Sequence, residues 1–260
     1  MTLPKPGDPA PAAAVGEFHE RSVAPALSDV FACVWTHRMP KTGTPPIVVT
    51  PDGTIDLQWI GGALRIAGPD KEPLTEIIPA GTDVVGFRFH PGAAHGWLGL
   101  PVCEITSRRI GLEELWGAKA RRLAEHIGGV EDIERVLIQF RPEQERGDAV
   151  MRAAFALIAQ GPPPGAALVA WLGRALHLSE RSLRRRFEEN FGYGPKTLDR
   201  ILRYQRFLRL RRASPATSTT LIALDAGYAD QAHLVRESRR LTGRTPSIYP
   251  VVRNRSQARR

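Results

Sequence analysis

Four arginines, Arg181, Arg184, Arg185 and Arg186, crowd the stretch SERSLRRRFEENFGYGP at 179–195. A guanidinium is always charged and presents a planar fork of donors that fits phosphate oxygens and the O6/N7 edge of guanine. At 100° per residue, Leu183 and Phe187 share one side of a helix. Arg181, Ser182 and Arg185 share the other, with Arg184 at its edge. Glu188 and Glu189 come only at the C-terminal end, where the helix dipole disfavours them. An ordinary solvated helix intersperses acids at i±4 for support. Cations in the first two turns and acids at the far end suit a helix whose start enters a major groove.

The same unit occurs twice. With an offset of 51 residues, Ser179 falls on Asp230, Leu183 on Leu234, Arg185 on Arg236, Gly192 on Gly243 and Pro195 on Pro246. Ser179 and Asp230 are good N-caps. Each is preceded by an apolar helical segment, AALVAWLGRAL (166–176) and TTLIALDAG (219–227), and a turn of about three residues. That spacing is helix-turn-helix. In the second copy Leu234 points inward, and the outward face holds Ala232, His233 and Arg236 with Val235 at its edge. Between the copies, PKTLDRILRYQRFLRLRRA carries an apolar stripe of Leu198, Ile201, Leu202 and Leu208. Arg200, Arg203, Arg206, Arg209, Arg211 and Arg212 lie off that stripe and are the candidates for phosphate contact. A helix over 195–212 spans about 27 Å, enough to hold two reading helices roughly one duplex turn apart.

Composition points the same way. Of 260 residues, 42% are hydrophobic and 24% charged, and the net charge is +9. Residues 1–150 hold 15 cations and 20 anions, a balance of −5; residues 151–260 hold 21 and 7, a balance of +14, and all but one of those cations are arginine. An acidic half joined to a basic half predicts a sensing or assembly domain beside a polyanion-binding one. No apolar run is long enough to span a bilayer, so no membrane partner is expected. MTLPKPGDPAPAAAVGEF reads as a flexible Pro/Ala tail, not a signal peptide. Cys33 and Cys103 make no disulfide framework, which suits a reducing cytoplasm.

The clearest break is Gly161-Pro162-Pro163-Pro164-Gly165, which no helix or central strand tolerates. Before it, DAVMRAAFALIAQ (148–160) is a helix capped by Asp148. Upstream, IVVT, TIDLQWI, ALRIAG and DVVGFRFH read as antiparallel strands. PGAAHGWLGL, GLEELWGAKARRLAEHIGG and EDIERVLIQFR read as helices. The expected organisation is a flexible tail over 1–18, an α+β domain over 19–147, an all-α domain over 148–252 with two helix-turn-helix motifs joined by a long helix, and a basic tail over 253–260.

LSERSLRRRFEENFGYGPKTLDRILRYQRFLRL and AGYADQAHLVRESRRLTGRTPSIY resemble the DNA-binding domain of the AraC/XylS family of bacterial transcriptional regulators over about residues 165–250. The resemblance implies that one helix of each motif enters successive major grooves. Carried over by motif position, the base-facing residues are Arg181, Ser182, Arg184 and Arg185, then Gln231, Ala232, His233, Val235 and Arg236. Ser238 stands where the family carries a phenylalanine, in the place Phe187 takes in the first copy. That implies a looser second helix and more affinity in the first motif. The phrases VVTPDGTIDLQWIGGALRIAGPD and GFRFHPGAAHGWLGLPVCEITSRRIGLEELWG are similar to an N-terminal domain often fused to such regulators. In the family that part senses a small molecule or dimerises. The partners implied are double-stranded DNA, RNA polymerase, a small-molecule effector and a second copy of the chain.

Other residues admit sharper readings. Asp56, Trp59, Phe87, Phe89 and Trp97 are the candidates for an effector site between sheet and helix. His90 and His95 lack a third metal ligand, so neither a metal nor a cofactor is expected. Asp52 is explained by its Pro-Asp-Gly turn. Cys103 would be the nucleophile of a rival reading, alkyl transfer in DNA repair, but no Cys-X-X-Cys or adjacent base accompanies it. A non-specific nucleic-acid binder is the third reading. The sequence favours a DNA-binding regulator that is not an enzyme.

Overall fold

The computed structural model describes residues 9–43, 45–140, 147–163 and 165–246. Among them the strands are β1 (Ala10–Pro11), β2 (Glu17–Arg21), β3 (Phe31–Arg38), β4 (Ile47–Val49), β5 (Asp56–Ile60), β6 (Ala63–Ala67), β7 (Leu74–Glu76), β8 (Asp83–Phe89) and β9 (Arg109–Gly111). The helices are α1 (Ala94–Leu98), α2 (Leu112–Trp116), α3 (Ala118–Glu125), α4 (Ile133–Gln139), α5 (Ala149–Gln160), α6 (Leu168–Ala175), α7 (Glu180–Phe191), α8 (Pro195–Ala213), α9 (Thr219–Asp225) and α10 (Gln231–Thr242). An α+β N-terminal part with an antiparallel sheet is followed by an all-α C-terminal part.

Six strands form one antiparallel sheet in the order β2-β3-β8-β5-β6-β9. A small sheet, β1-β4-β7, has β1 parallel to β4. Alternation along β5 and β8 sends Leu57, Val85, Phe87 and Phe89 to one face, where Phe31, Trp97 and residues of α1 to α4 close the main core. The other face meets a smaller core of Val15, Cys33, Trp35, Met39, Ile47, Ile78 and Val84. Charged side chains also fill that face. Arg65 pairs with Glu76 at 2.7 Å, and Arg109 pairs with Glu76 at 2.6 Å and with Asp70 at 2.9 Å. The segment read as a flexible tail is built into this structure from Pro9 onward, a correction. Ala10 and Pro11 pair with Ile47 and Val48, Glu17 and Phe18 with Arg38 and His37, and Val15 is buried. Unpaired edges of β3 and β4 recruit it, and backbone pairing does not need an apolar pattern. Residues 1–8 and the basic tail at 253–260 lie outside the described residues.

The stretch GLEELWGAKARRLAEHIGG, read as one helix, is two. Gly117 takes φ 55°, ψ −128°, ending α2 and capping α3.

Downstream, α5 to α10 surround a second core. Asp148 caps α5, accepting from the amides of Val150 (3.0 Å) and Met151 (3.1 Å). Met151, Ala154 and Ile158 then bury into the C-terminal core. Pro195 opens α8, whose 19 residues span about 28 Å. The repeat holds at every start: α6 and α9 begin 51 residues apart, as do α7 and α10.

Candidate nucleic-acid interface

The two turns are built alike. Each first helix ends on a left-handed residue, His177 at φ 54° and Gly227 at φ 93°. The next amide reaches back five residues: Leu178 to the Gly173 carbonyl and Tyr228 to the Ala223 carbonyl, both at 2.9 Å. Ser179 then accepts from the Ser182 amide at 3.2 Å, and Asp230 from the His233 amide at 2.6 Å. Both second helices run 12 residues and end on a left-handed glycine, Gly192 and Gly243.

On α7, Leu183 and Phe187 are fully buried while Arg181, Arg184 and Arg185 are exposed. These three arginines stand beside Glu180 and Glu188 on one open face of α7. Arg184 lies 3.9 Å from Glu180 and Arg185 2.9 Å from Glu189, pairs spaced i,i+4 that the acid-poor reading of the first turns did not include. Such exposed pairs contribute at most about 1 kcal/mol and open readily to a phosphate or base. Ser182 is half-buried and accepts a hydrogen bond from the Ser179 hydroxyl at 3.0 Å. Arg186 turns inward: its guanidinium forks onto the Asp148 carboxylate at 2.5–3.1 Å.

On α10, Gln231, Ala232 and Arg236 are exposed. The Gln231 side-chain oxygen accepts from the Thr220 hydroxyl of α9 at 2.9 Å. His233 is half-buried, its ring edge-on to Tyr228 at 5.2 Å. Val235 is half-buried, and Leu234 is sealed inside. Arg239 and Arg240, not among the sequence candidates, are exposed in the last turn. Their position off the Leu234–Leu241 stripe was the signal for them.

The connecting-helix arginines divide sharply, which corrects the phosphate set. Arg206 donates to the carbonyls of Ile158 (3.1 Å), Ala159 (2.7 Å) and Ala226 (3.0 Å). Helix ends leave carbonyls without intrahelical donors, and this one fork satisfies the ends of α5 and α9 together. Burial pulls its pKa down, yet arginine stays charged. Arg203 pairs with Asp199 and lies over the Tyr228 ring, 5.7 Å from its centroid. Arg200 sits 3.6 Å from Glu237, and Arg211 donates to the Thr217 carbonyl at 2.8 Å. Arg209 and Arg212 are exposed.

The effector set does not come together either. Phe87 and Phe89 are 1% and 3% exposed, and with Phe31 and Trp97 they form a continuous aromatic core with centroids 4.6–5.9 Å apart. Trp59 packs against that core. Asp56 lies on the opposite face of the sheet, 3.2 Å from Arg88. The period of two that exposes Asp56 as the polar member of β5 is what separates it from the aromatics. Burial raises the Asp56 pKa despite Arg88. The ring nitrogens of His90 and His95 are within hydrogen-bond distance of the Ser28 and Leu100 carbonyls, at 3.1 and 2.9 Å. Among the described residues no group of three or more His, Cys, Asp or Glu is placed to hold a metal. Cys103 is exposed, and burial pushes Cys33 up to about 11. No helix among the described residues is long and apolar enough to cross a membrane.

Residues 172–250 match a family described as a helix-turn-helix domain, and residues 19–111 match a domain of unknown function (DUF6597). No curated protein matches the sequence. Among solved structures, ToxT from Vibrio cholerae is 12% identical at a TM-score of 0.45, covering 89% of this chain and 97% of that one. The AraC-like transcriptional activator CuxR is 16% identical at a TM-score of 0.24, covering 79% and 90%.

Proposed function

We propose that this protein, whose residues 172–250 are a helix-turn-helix domain of the AraC type, is a sequence-specific, cytoplasmic transcriptional regulator and not an enzyme. The observation that carries the proposal is the duplicated unit: two 12-residue helices, each capped by a side-chain oxygen at its start and a left-handed glycine at its end, each with exposed guanidinium groups. Arg181, Arg184 and Arg185 on α7, and Gln231, Ala232 and Arg236 on α10, are the base-reading side chains. A good bidentate arginine–guanine pair contributes about 1–3 kcal/mol of discrimination. Ser182, His233 and Val235 are half-buried and shape the edge of that surface. Arg209 and Arg212 contact phosphate. The domain organisation that fits is an N-terminal controlling unit up to about residue 147 and a DNA-binding unit that includes α5. Effector binding or self-association by the N-terminal unit would set when DNA is bound.

Titration of the full chain with a duplex selected from a random library tests this. If Arg209 and Arg212 each neutralise one phosphate, log K falls with log[salt] at a slope of about −2. Selected duplex should be bound at least about a thousandfold more tightly than random duplex. A slope near zero, or equal affinity for both duplexes, refutes the proposal.

A further inference from the structure

The two motifs differ at matched buried positions: Phe187, Asn190 and Phe191 of the first copy correspond to Ser238, Leu241 and Thr242 of the second. Phe187 in the first copy is replaced by Ser238 in the second, and both are fully buried. In the first copy Phe187 packs against Phe191 with ring centroids 5.1 Å apart. In the second, Tyr204 of α8, itself fully buried, brings its hydroxyl to 3.2 Å from the Ser238 hydroxyl. Ser238 has one hydroxyl proton, and it goes to the Arg244 carbonyl at 2.8 Å. Tyr204 is therefore the donor in the first bond. Thr242 closes the network: its single hydroxyl proton can go to the Ser238 carbonyl (2.7 Å) or to the Arg244 carbonyl (3.0 Å), and its oxygen accepts from the Arg244 amide at 3.0 Å.

The difference matters because the two kinds of contact constrain differently. Packing of rings depends on angle less steeply than a hydrogen bond does. Hydrogen bonds weaken steeply as their angles open. A buried hydroxyl that loses its partner carries its full desolvation cost. A chain of such bonds from α8 through α10 to the residue after its cap fixes rotation about the helix axis. We infer that Tyr204 is a positioning residue for the second reading helix, its hydroxyl setting, through Ser238 and the Arg244 carbonyl, the rotation at which α10 presents Gln231, Ala232 and Arg236. The inference rests on the DNA-reading function proposed above. It also reverses the expectation that Ser238 loosens this helix: the motif without the phenylalanine is held by direction, not by volume.

Two measurements on the full chain test it. Tyr204→Phe removes one oxygen and keeps the ring. Amide hydrogen exchange without DNA should then rise about three- to tenfold in residues 231–242 and stay unchanged in 180–191. Ser238→Ala should do the same. Selection from a random duplex library supplies the second readout. Arg185→Ala and Arg236→Ala each blur one half of the selected sequence and so assign the halves. Tyr204→Phe should blur the half assigned to Arg236, by about three- to tenfold in base discrimination, and leave the other sharp. Unchanged exchange in 231–242, equal increases in both helices, or equal blurring of both halves would overturn the inference. If the wild-type chain selects no sequence while exchange changes as stated, the DNA-reading proposal falls and the clamp on α10 stands.

Discussion

His177 carries a cost that its counterpart does not. It sits at φ 54° just past the end of α6; the left-handed residue after the shorter α9 is Gly227, one position before the residue that the 51-residue offset pairs with His177. A side chain in the left-handed region costs about 1 kcal/mol against glycine. His177→Gly should stabilise the chain by about that much, raising Tm by about 2–4 °C in thermal denaturation. No rise would mean that the imidazole contributes a contact that offsets the strain. The arginines of α8 differ in what they meet. Their sequence spacing marks all six as off the apolar stripe, yet stripe position says nothing about what lies over the neighbouring face. Arg206 meets the ends of two other helices there, whereas Arg209 meets water. Arg206→Ala should therefore cost about 2–3 kcal/mol of stability by leaving buried carbonyls unsatisfied, with no change in the salt dependence of DNA binding. Arg209→Ala should leave Tm alone and reduce the salt slope by about 1.

At the scale of elements, the helical half was legible and part of the sheet was not. Caps, apolar stripes and proline positions are local signals, so α5 through α10 could be read from them, down to the shared 51-residue offset. β2 and β3 were missed for a physical reason. β2 is exposed throughout, and β3 is buried on both faces with a bulge between Phe31 and Cys33, so neither shows a clean period of two. The candidate effector set failed for a related reason: alternation identifies a face but not what covers it. Glu76 of β7 shows what covers the second face. Burial raises its pKa, but Arg109 and Arg65 outweigh burial and hold it below the usual 4.5. Its folded pKa is thus below its unfolded one, so its contribution is complete above pH 4.5 and is lost as pH falls through the lower folded value. Asp70, raised by burial despite Arg109, has the opposite sign. Glu76→Gln should cost about 2 kcal/mol at pH 7 by leaving two guanidinium groups underpaired. The gap to wild type should close as denaturation is repeated below pH 4.5; a constant gap would mean that packing, not charge, is what Glu76 supplies.

Across the whole molecule, the N-terminal part grips the elbow between α7 and α8. The Thr106 hydroxyl is within hydrogen-bond distance of the Val102 and Gly192 carbonyls at 3.1 and 3.2 Å, and Gln205 of α8 donates to the Pro51 carbonyl at 2.8 Å. Gly53, at φ 81°, lets its loop approach Leu198 and Leu202. None of this was visible in the sequence, where Gly192 and Gly243 play the same capping part. The structure separates them. A Cβ on Gly192 would lie 2.1 Å from the Thr106 hydroxyl oxygen and 3.2 Å from the Val102 carbonyl oxygen, whereas one on Gly243 would meet nothing within 4 Å. Both have φ near +70°, so both substitutions carry the same backbone strain. Gly243→Ala should then cost about 1 kcal/mol. Gly192→Ala should cost that plus about 1–3 kcal/mol of overpacking, and the excess measures the seam between the two parts. Chemical denaturation of the full-length variants gives both numbers. Equal losses would mean that the elbow and the Val102–Ile105 turn part without cost, and that the N-terminal domain does not hold the first reading helix in place.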